Sequence, residues 1–266
     1  MKSDYNIGFI GVGNMAQAIL YGIVSKNIMR GEDIYAYDIV QSTLEDVKSK
    51  AGINTTASNR EVIEKCDIIV LAVKPHHCED VLKEIGNLLD GKALLSIVSG
   101  WSFYELKKRV PDSCRIRVVQ PNTPLLVGAG MTTFAKTTNF TQEEIEFVNN
   151  MFSIQGLVET MPDELLMVSS TSGGAAPAFA YMFIEALADA AVQAGIPRAI
   201  AYKMSAQAVV GAGKMVLESG LHPGALKDQI TSPGGSTIRG VHALERGGMR
   251  GTVMDAVKAC NDRWKN

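Results

Sequence analysis

Two periodicities divide the chain. Up to about residue 160, short apolar runs alternate with stretches whose apolar positions recur every three or four residues. Tyr5–Ile10, Ile34–Tyr37, Ile68–Ala72, Ala93–Ile97, Arg115–Val119 and Met131–Phe134 read as strands. Ser42–Lys50, Asn59–Lys65, Cys78–Leu88, Ser102–Val110 and Thr141–Phe152 read as the helices between them. Thr141 followed three residues later by Glu144 is a capping-box signature. Strands and helices in alternation predict a parallel sheet covered by helices on both faces.

The rhythm changes after Asp163. No further strand is expected. Pro177–Gly195, Ala199–Gly220, Pro223–Thr231, Ser236–Arg246 and Met249–Lys265 read as helices, with Gly195 before Pro197 and Gly220 before Pro223 as punctuation. The fold expected is α/β: an N-terminal Rossmann-type doubly wound sheet over residues 1–162, then an all-α dimerisation domain over 163–266. Between Ala175 and Ala194 the strongly polar side chains are Glu185, Asp189 and Gln193. So apolar a helix is normally covered on most sides. A domain of about a hundred residues has little interior to cover it, so a second subunit is expected, giving at least a homodimer. Glu185 and Asp189 also argue against a membrane span.

Composition narrows the class. The 266 residues carry a formal charge of −2 with lysines and arginines scattered, so no nucleic-acid surface is expected. Cys66, Cys78, Cys114 and Cys260 show neither disulfide nor metal spacing and read as reduced thiols of a cytoplasmic protein. Lys2-Ser3-Asp4 has no leader character. His76, His77 and Cys78 are consecutive and without further ligands, so no metal centre is expected.

Two glycine turns carry the chemistry. The first, Gly11-Val12-Gly13-Asn14-Met15-Ala16, follows an apolar strand and opens an amphipathic helix, the context of a dinucleotide fingerprint. Gly11 permits the turn, Gly13 the approach of a pyrophosphate, and Ala16 close helix packing. Asp38 ends the second strand, where an acid bonds the adenine ribose and repels a 2′-phosphate. The cofactor is therefore NADH or NADPH, with Asp38 leaning to NADH, although Gln41, Ser42 and Thr43 could reach a phosphate. Ala72-Val73-Lys74-Pro75, Ser99-Gly100 and Gln120–Pro124 follow later strands, at the edge where such sheets bind ligands. The second turn is Thr231–Gly240. Gly234 and Gly235 admit a ligand to the backbone, and Ser236 and Thr237 add hydroxyls where a helix begins, a place for a small carboxylate. The plain alternative is a loop with a Ser/Thr helix cap.

Together these motifs resemble the pyrroline-5-carboxylate reductase family. The likeness runs from Gly8–Ala16 through Ala72–Pro75 and Pro121–Pro124 to His222-Pro223-Gly224-x-Leu226-Lys227-Asp228, Ser232–Ile238 and Leu244-Glu245. The resemblance implies a Rossmann domain and a helical domain that dimerises by interlocking helices, with dimers often assembling into rings. It implies cofactor contacts at Asn59 and Ala72–Pro75. It also implies Ser236 and Thr237 at the carboxylate or ring nitrogen of a cyclic imino acid, reduced to proline in the last step of its synthesis. One departure stands out: the family's Gly-Ser-Gly-Pro-Ala reads Gly174-Ala175-Ala176-Pro177-Ala178 here, so the serine hydroxyl is missing. A β-hydroxyacid dehydrogenase, the rival enzyme, places a lysine on the long helix, and Pro177–Ala194 has none. A nucleotide sensor would not need the second turn. Reduction of an imine needs alignment more than an acid–base pair, and none is apparent; Thr237 is the candidate for hydrogen bonding at the ring nitrogen.

Overall fold

The structure, a computed structural model, describes residues 5–263. It forms two compact units, one ending at Gly174 and the other beginning at Ala175.

The first unit is built on eight strands: β1 Ile7–Ile10, β2 Ile34–Tyr37, β3 Asn54–Thr55, β4 Ile68–Leu71, β5 Ala93–Ser96, β6 Arg115–Gln120, β7 Gly130–Thr138 and β8 Gly156–Met161. They lie in the order β3-β2-β1-β4-β5-β6-β7-β8. Central β1 pairs with β2 and β4 in register, Ile7 opposite both Ile34 and Ile68. Helices cover both faces, so the central strands are apolar throughout rather than alternating. On one face Phe9, Val70, Leu95, Val119 and Phe134 meet α1 (Asn14–Ser25), α2 (Gln41–Ala51) and α6 (Gln142–Ser153). On the other, Ile10, Ile69, Leu71, Leu94 and Ile116 meet α3 (Asn59–Lys65), α4 (Pro75–Ile85), α5 (Phe103–Lys107) and α7 (Asp163–Ser170). The capping box is present: the Thr141 hydroxyl accepts from the Glu144 N–H at 3.2 Å, and Glu144 accepts from the Thr141 N–H at 2.9 Å.

The sheet is mixed, which corrects the all-parallel expectation. β7 runs antiparallel to β6. Only residues 121–129 separate them, too short a link for a parallel crossover, which takes a dozen residues or more. α6 then carries the chain across to β8, parallel to β7. β8 and α7 were not anticipated. β8 is an edge strand half exposed along its length, without an apolar run. Because β7 and β8 point the other way, α7 climbs back. The Asp163 carboxylate accepts the Thr137 N–H near the end of β7 at 2.9 Å. Beyond α7, a π-helical turn at Thr171–Ala175 reaches Asn122, next to the end of β6: Asn122 Nδ2 donates to the Gly173 carbonyl at 2.8 Å.

Two cations brace β6, Arg115 half-buried and Arg117 buried. Arg115 makes a bidentate pair with the almost fully buried Glu144. Arg117 has no carboxylate partner among the described residues; it stacks 3.9 Å from the Phe134 ring centre and donates to the Ile145 carbonyl and Asn149. Burial pulls its guanidinium down to about 10, still charged at neutrality. All four cysteines are free.

The second unit is helical: α8 Ala176–Gln193, α9 Arg198–Ser219, α10 Pro223–Gln229, α11 Ser236–Arg246 and α12 Met249–Asp262. The expected end of α12 at Lys265 lies outside the described residues. α8 and α9 pack as an antiparallel hairpin, pinned by the Asp189–Arg198 ion pair. Ala188, Ala201 and Ser205 are buried; Tyr181, Met182, Met204, Leu217 and Met254 are exposed. α7, the π-turn and α8 form one run, Asp163–Gln193, with a window of mean hydropathy 1.4, apolar and long enough to cross a membrane.

Candidate active site

The first glycine turn is held by its own backbone and by the next strand. The Gly11 N–H donates to the Tyr37 carbonyl at 2.9 Å, and the Ala72 N–H to the Ile10 carbonyl at 2.9 Å. Gly11 has φ +90°, and a Cβ there would stand 2.8 Å from the Ala72 carbonyl oxygen, so the turn and the loop after β4 leave no room for a side chain. Gly13 is the opposite case. It is the N-cap of α1, no side chain caps the helix, and a Cβ there would meet nothing within 4 Å. The N–H groups of Asn14, Met15 and Ala16 thus begin a helix whose positive end faces open space. That cradle fits a pyrophosphate.

Asp38 serves this turn directly. Its Oδ2 accepts the Val12 N–H at 2.7 Å and its Oδ1 the Val40 N–H at 2.9 Å. The carboxylate therefore braces the glycine turn, and each oxygen keeps a further lone pair for a ribose hydroxyl. Gln41, Ser42 and Thr43 form the first turn of α2, which no side chain caps.

The loop Ala72–Pro75 leads straight into α4. That helix starts at Pro75 rather than Cys78, because proline suits a first helical position. Lys74, His76 and His77 are exposed, the two imidazole rings 4.1 Å apart. The Ser99 hydroxyl donates to Gln120 Oε1 at 3.3 Å, joining the loops after β5 and β6, and Gly100 has φ +83°. The structure thus gathers Gly11–Ala16, Asp38 and Ala72–Pro75 at the carboxyl edge, with Ser99 and Gly100 on the same edge. Asn59 is engaged differently: Nδ2 donates to both Glu84 oxygens at 3.2 Å, and Oδ1 is buried without a protein partner.

Asn122 was read only as part of a proline turn. It is buried and bridges two elements, donating to Gly173 and accepting the Met131 N–H at 2.8 Å. Its signal was a side-chain amide between two prolines. Proline fixes the backbone and lacks an N–H, leaving such an amide free to staple its surroundings.

In the helical unit the second glycine turn has similar chemistry. The Gly235 N–H closes on the Ser232 carbonyl at 3.0 Å, and Gly234 has φ +72°. Gly235 is the N-cap of α11, with no side-chain cap. Ser236 and Thr237 occupy the first two helical positions, exposed, so neither hydroxyl is spent as the cap that the plain alternative supposed.

A doubly wound sheet with an uncapped glycine turn defines the class of dinucleotide-binding proteins. Residues 6–100 match a family model described as NADP oxidoreductase, coenzyme F420-dependent, and residues 163–266 one described as pyrroline-5-carboxylate reductase dimerisation. The pyrroline-5-carboxylate reductase of Escherichia coli is 42% identical over 98% of this chain and 97% of its own. That of Methanosarcina acetivorans is 36% identical over 98% of this chain and 97% of its own. The crystal structure of Plasmodium falciparum pyrroline carboxylate reductase with NADP bound superposes with a TM-score of 0.90 at 34% identity, covering 100% of this chain and 98% of that one. The chain belongs to the pyrroline-5-carboxylate reductase family and is an NAD(P)H-dependent oxidoreductase whose helical region serves oligomer formation.

Proposed function

We propose that this enzyme reduces 1-pyrroline-5-carboxylate to L-proline, the last step of proline formation. One observation carries the reading. In a chain of this family, α11 starts at a glycine turn with its first amides uncapped and the Ser236 and Thr237 hydroxyls exposed beside them. A small carboxylate needs such donors.

A nicotinamide dinucleotide supplies the hydride. Gly11, Val12, Gly13, Asn14, Met15 and Ala16 hold its pyrophosphate, and Asp38 its ribose, with Asn59, Ala72–Pro75, Ser99 and Gly100 as flanking contacts. Gly234, Gly235, Ser236 and Thr237 hold the substrate carboxylate, and the Thr237 hydroxyl bonds the ring nitrogen. The protein's task is to align and to exclude water, since a protonated imine carbon accepts hydride without a strong acid–base pair. Asp38 disfavours a 2′-phosphate: one like-charge contact at ~4 Å is worth about 1–4 kcal/mol, so NADH is the preferred donor. Residues 163–266 serve assembly, chiefly through the helices from Ala175 onward, since α7 packs on the sheet. A homodimer at least, open to closing into a ring of dimers, covers the apolar faces of α8 and α9, so these helices meet protein rather than lipid. Four free thiols support work in the cytoplasm.

The decisive experiment follows oxidation of NADH and NADPH, side by side, with the cyclic imino acid. Thr237→Ala should lower kcat/KM for the imine by up to about a hundredfold, as loss of a hydrogen bond to a charged group does, with cofactor affinity kept. Wild-type turnover in that variant would remove Thr237 from the mechanism.

A further inference from the structure

The segment His222-Pro223-Gly224 is part of the sequence resemblance, and the reaction as described makes no use of it. The structure accounts for all three residues by one device. The His222 Nδ1 accepts the Gly224 N–H at 3.0 Å, so an imidazole caps α10. Pro223 takes the first helical position, where its missing N–H costs nothing. Gly224 has no positive φ, yet a Cβ there would lie 3.0 Å from His222 Nδ1, so its hydrogen makes room for the ring. The far end of α10 is closed too. The Thr231 hydroxyl lies 3.1 Å from the Lys227 carbonyl and 3.2 Å from that of Asp228, and the Gly235 N–H turns back on Ser232 one residue before α11.

We propose that His222 is a positioning residue for imine reduction: by capping α10 it fixes the strut from which the Gly234–Thr237 turn is hung. This rests on the reading that the turn holds the substrate. Beside Lys227, a cleft of about 290 Å³ is bordered by Glu245 and Arg250, themselves paired at 2.7 Å.

The test compares full-length wild type with His222→Ala, which removes the cap, and with His222→Asn, whose amide oxygen restores it. The kcat and the KM for pyrroline-5-carboxylate and for the nicotinamide donor are measured at one neutral pH. His222→Ala should raise the imine KM about fivefold, the worth of a lost helix cap, with the donor KM unmoved, and His222→Asn should return it to the wild-type value. A wild-type imine KM in His222→Ala overturns the proposal, as does a His222→Asn as impaired as His222→Ala. If His222→Ala does not fold, Gly224→Ala takes its place: its Cβ would stand 3.0 Å from Nδ1 and displace the ring, with the same rise expected. Thr237→Ala in the same assay keeps the premise separate. A silent Thr237→Ala with an impaired His222→Ala faults the substrate reading, and a damaged Thr237→Ala with a wild-type His222→Ala faults the strut.

Discussion

Up to Gly174 the protein closes an apolar core with its own helices; from Ala175 onward it does not. Phe9, Phe134 and Phe152 are fully buried in the sheet unit. In the helical unit burial stops at Ala188, Ala201 and Ser205, while Met182 and Leu217 are about two-thirds or more exposed (70% and 67%). The contrast follows from geometry. A sheet covered on two sides makes a closed core, whereas a hairpin of two long helices with three shorter ones has too few neighbours to surround itself. The sheet unit closes a core of its own, and the helical unit leaves apolar faces for association to cover.

The largest expected effect comes from breaking that association from inside. Ala188→Glu puts a charge at a fully buried position of α8, at a cost of about 3–5 kcal/mol, and should abolish the oligomer and turnover. Nucleotide binding by the sheet unit should survive, which sedimentation and a nucleotide titration can check together. The matched experiment is Leu95→Ala on central β5. It should lower unfolding stability by about 2–5 kcal/mol and leave the oligomer intact. If both variants fell apart in the same way, the division between the units would be wrong.

Gly11→Ala is next. Its φ of +90° and the 2.8 Å approach to Ala72 should cost about 1–3 kcal/mol in the sheet unit and weaken the nucleotide more than the imine. A normal nucleotide Kd would contradict the assignment of the turn.

Alkaline pH should sharpen the comparison with the smallest effect. Burial pushes the Cys66, Cys78 and Cys114 thiols, all in the sheet unit, up to about 12 from an ordinary 9.0. A raised folded pKa means that the folded form holds protons which the unfolded form releases. This stability is whole below about 9 and is lost as pH rises towards 12. Arg117, at about 10, works in the opposite sense above that pH, one group against three. Urea midpoints should therefore fall beyond pH 9, with the thiols slow to react with iodoacetamide below it.

Much of this was legible in the sequence because local and tertiary preferences agree. Ile34–Tyr37, Asn59–Lys65 and Ser236–Arg246 form as their apolar spacing and turn residues dictate. Both glycine turns were visible because paired glycines just before a helical repeat mark a helix start whose N–H groups a ligand can reach. β3 was missed because two residues carry no periodicity, and β8 because an edge strand alternates weakly. The reversal at β7 was missed although its sign was present, in a link too short to cross the sheet. The brace from Asp38 to Val12 could not be read, because a carboxylate's second partner depends on where the fold brings the backbone.

That reversal has a consequence for how such a chain can change over time. With two strands running downward, the next helix must end at the rim where β1 to β6 finish, and there Asn122 receives it. Lose either strand and α7 would end on the opposite rim, out of reach of Asn122. Loops may lengthen freely, but the parity of the final meander is an inherited constraint.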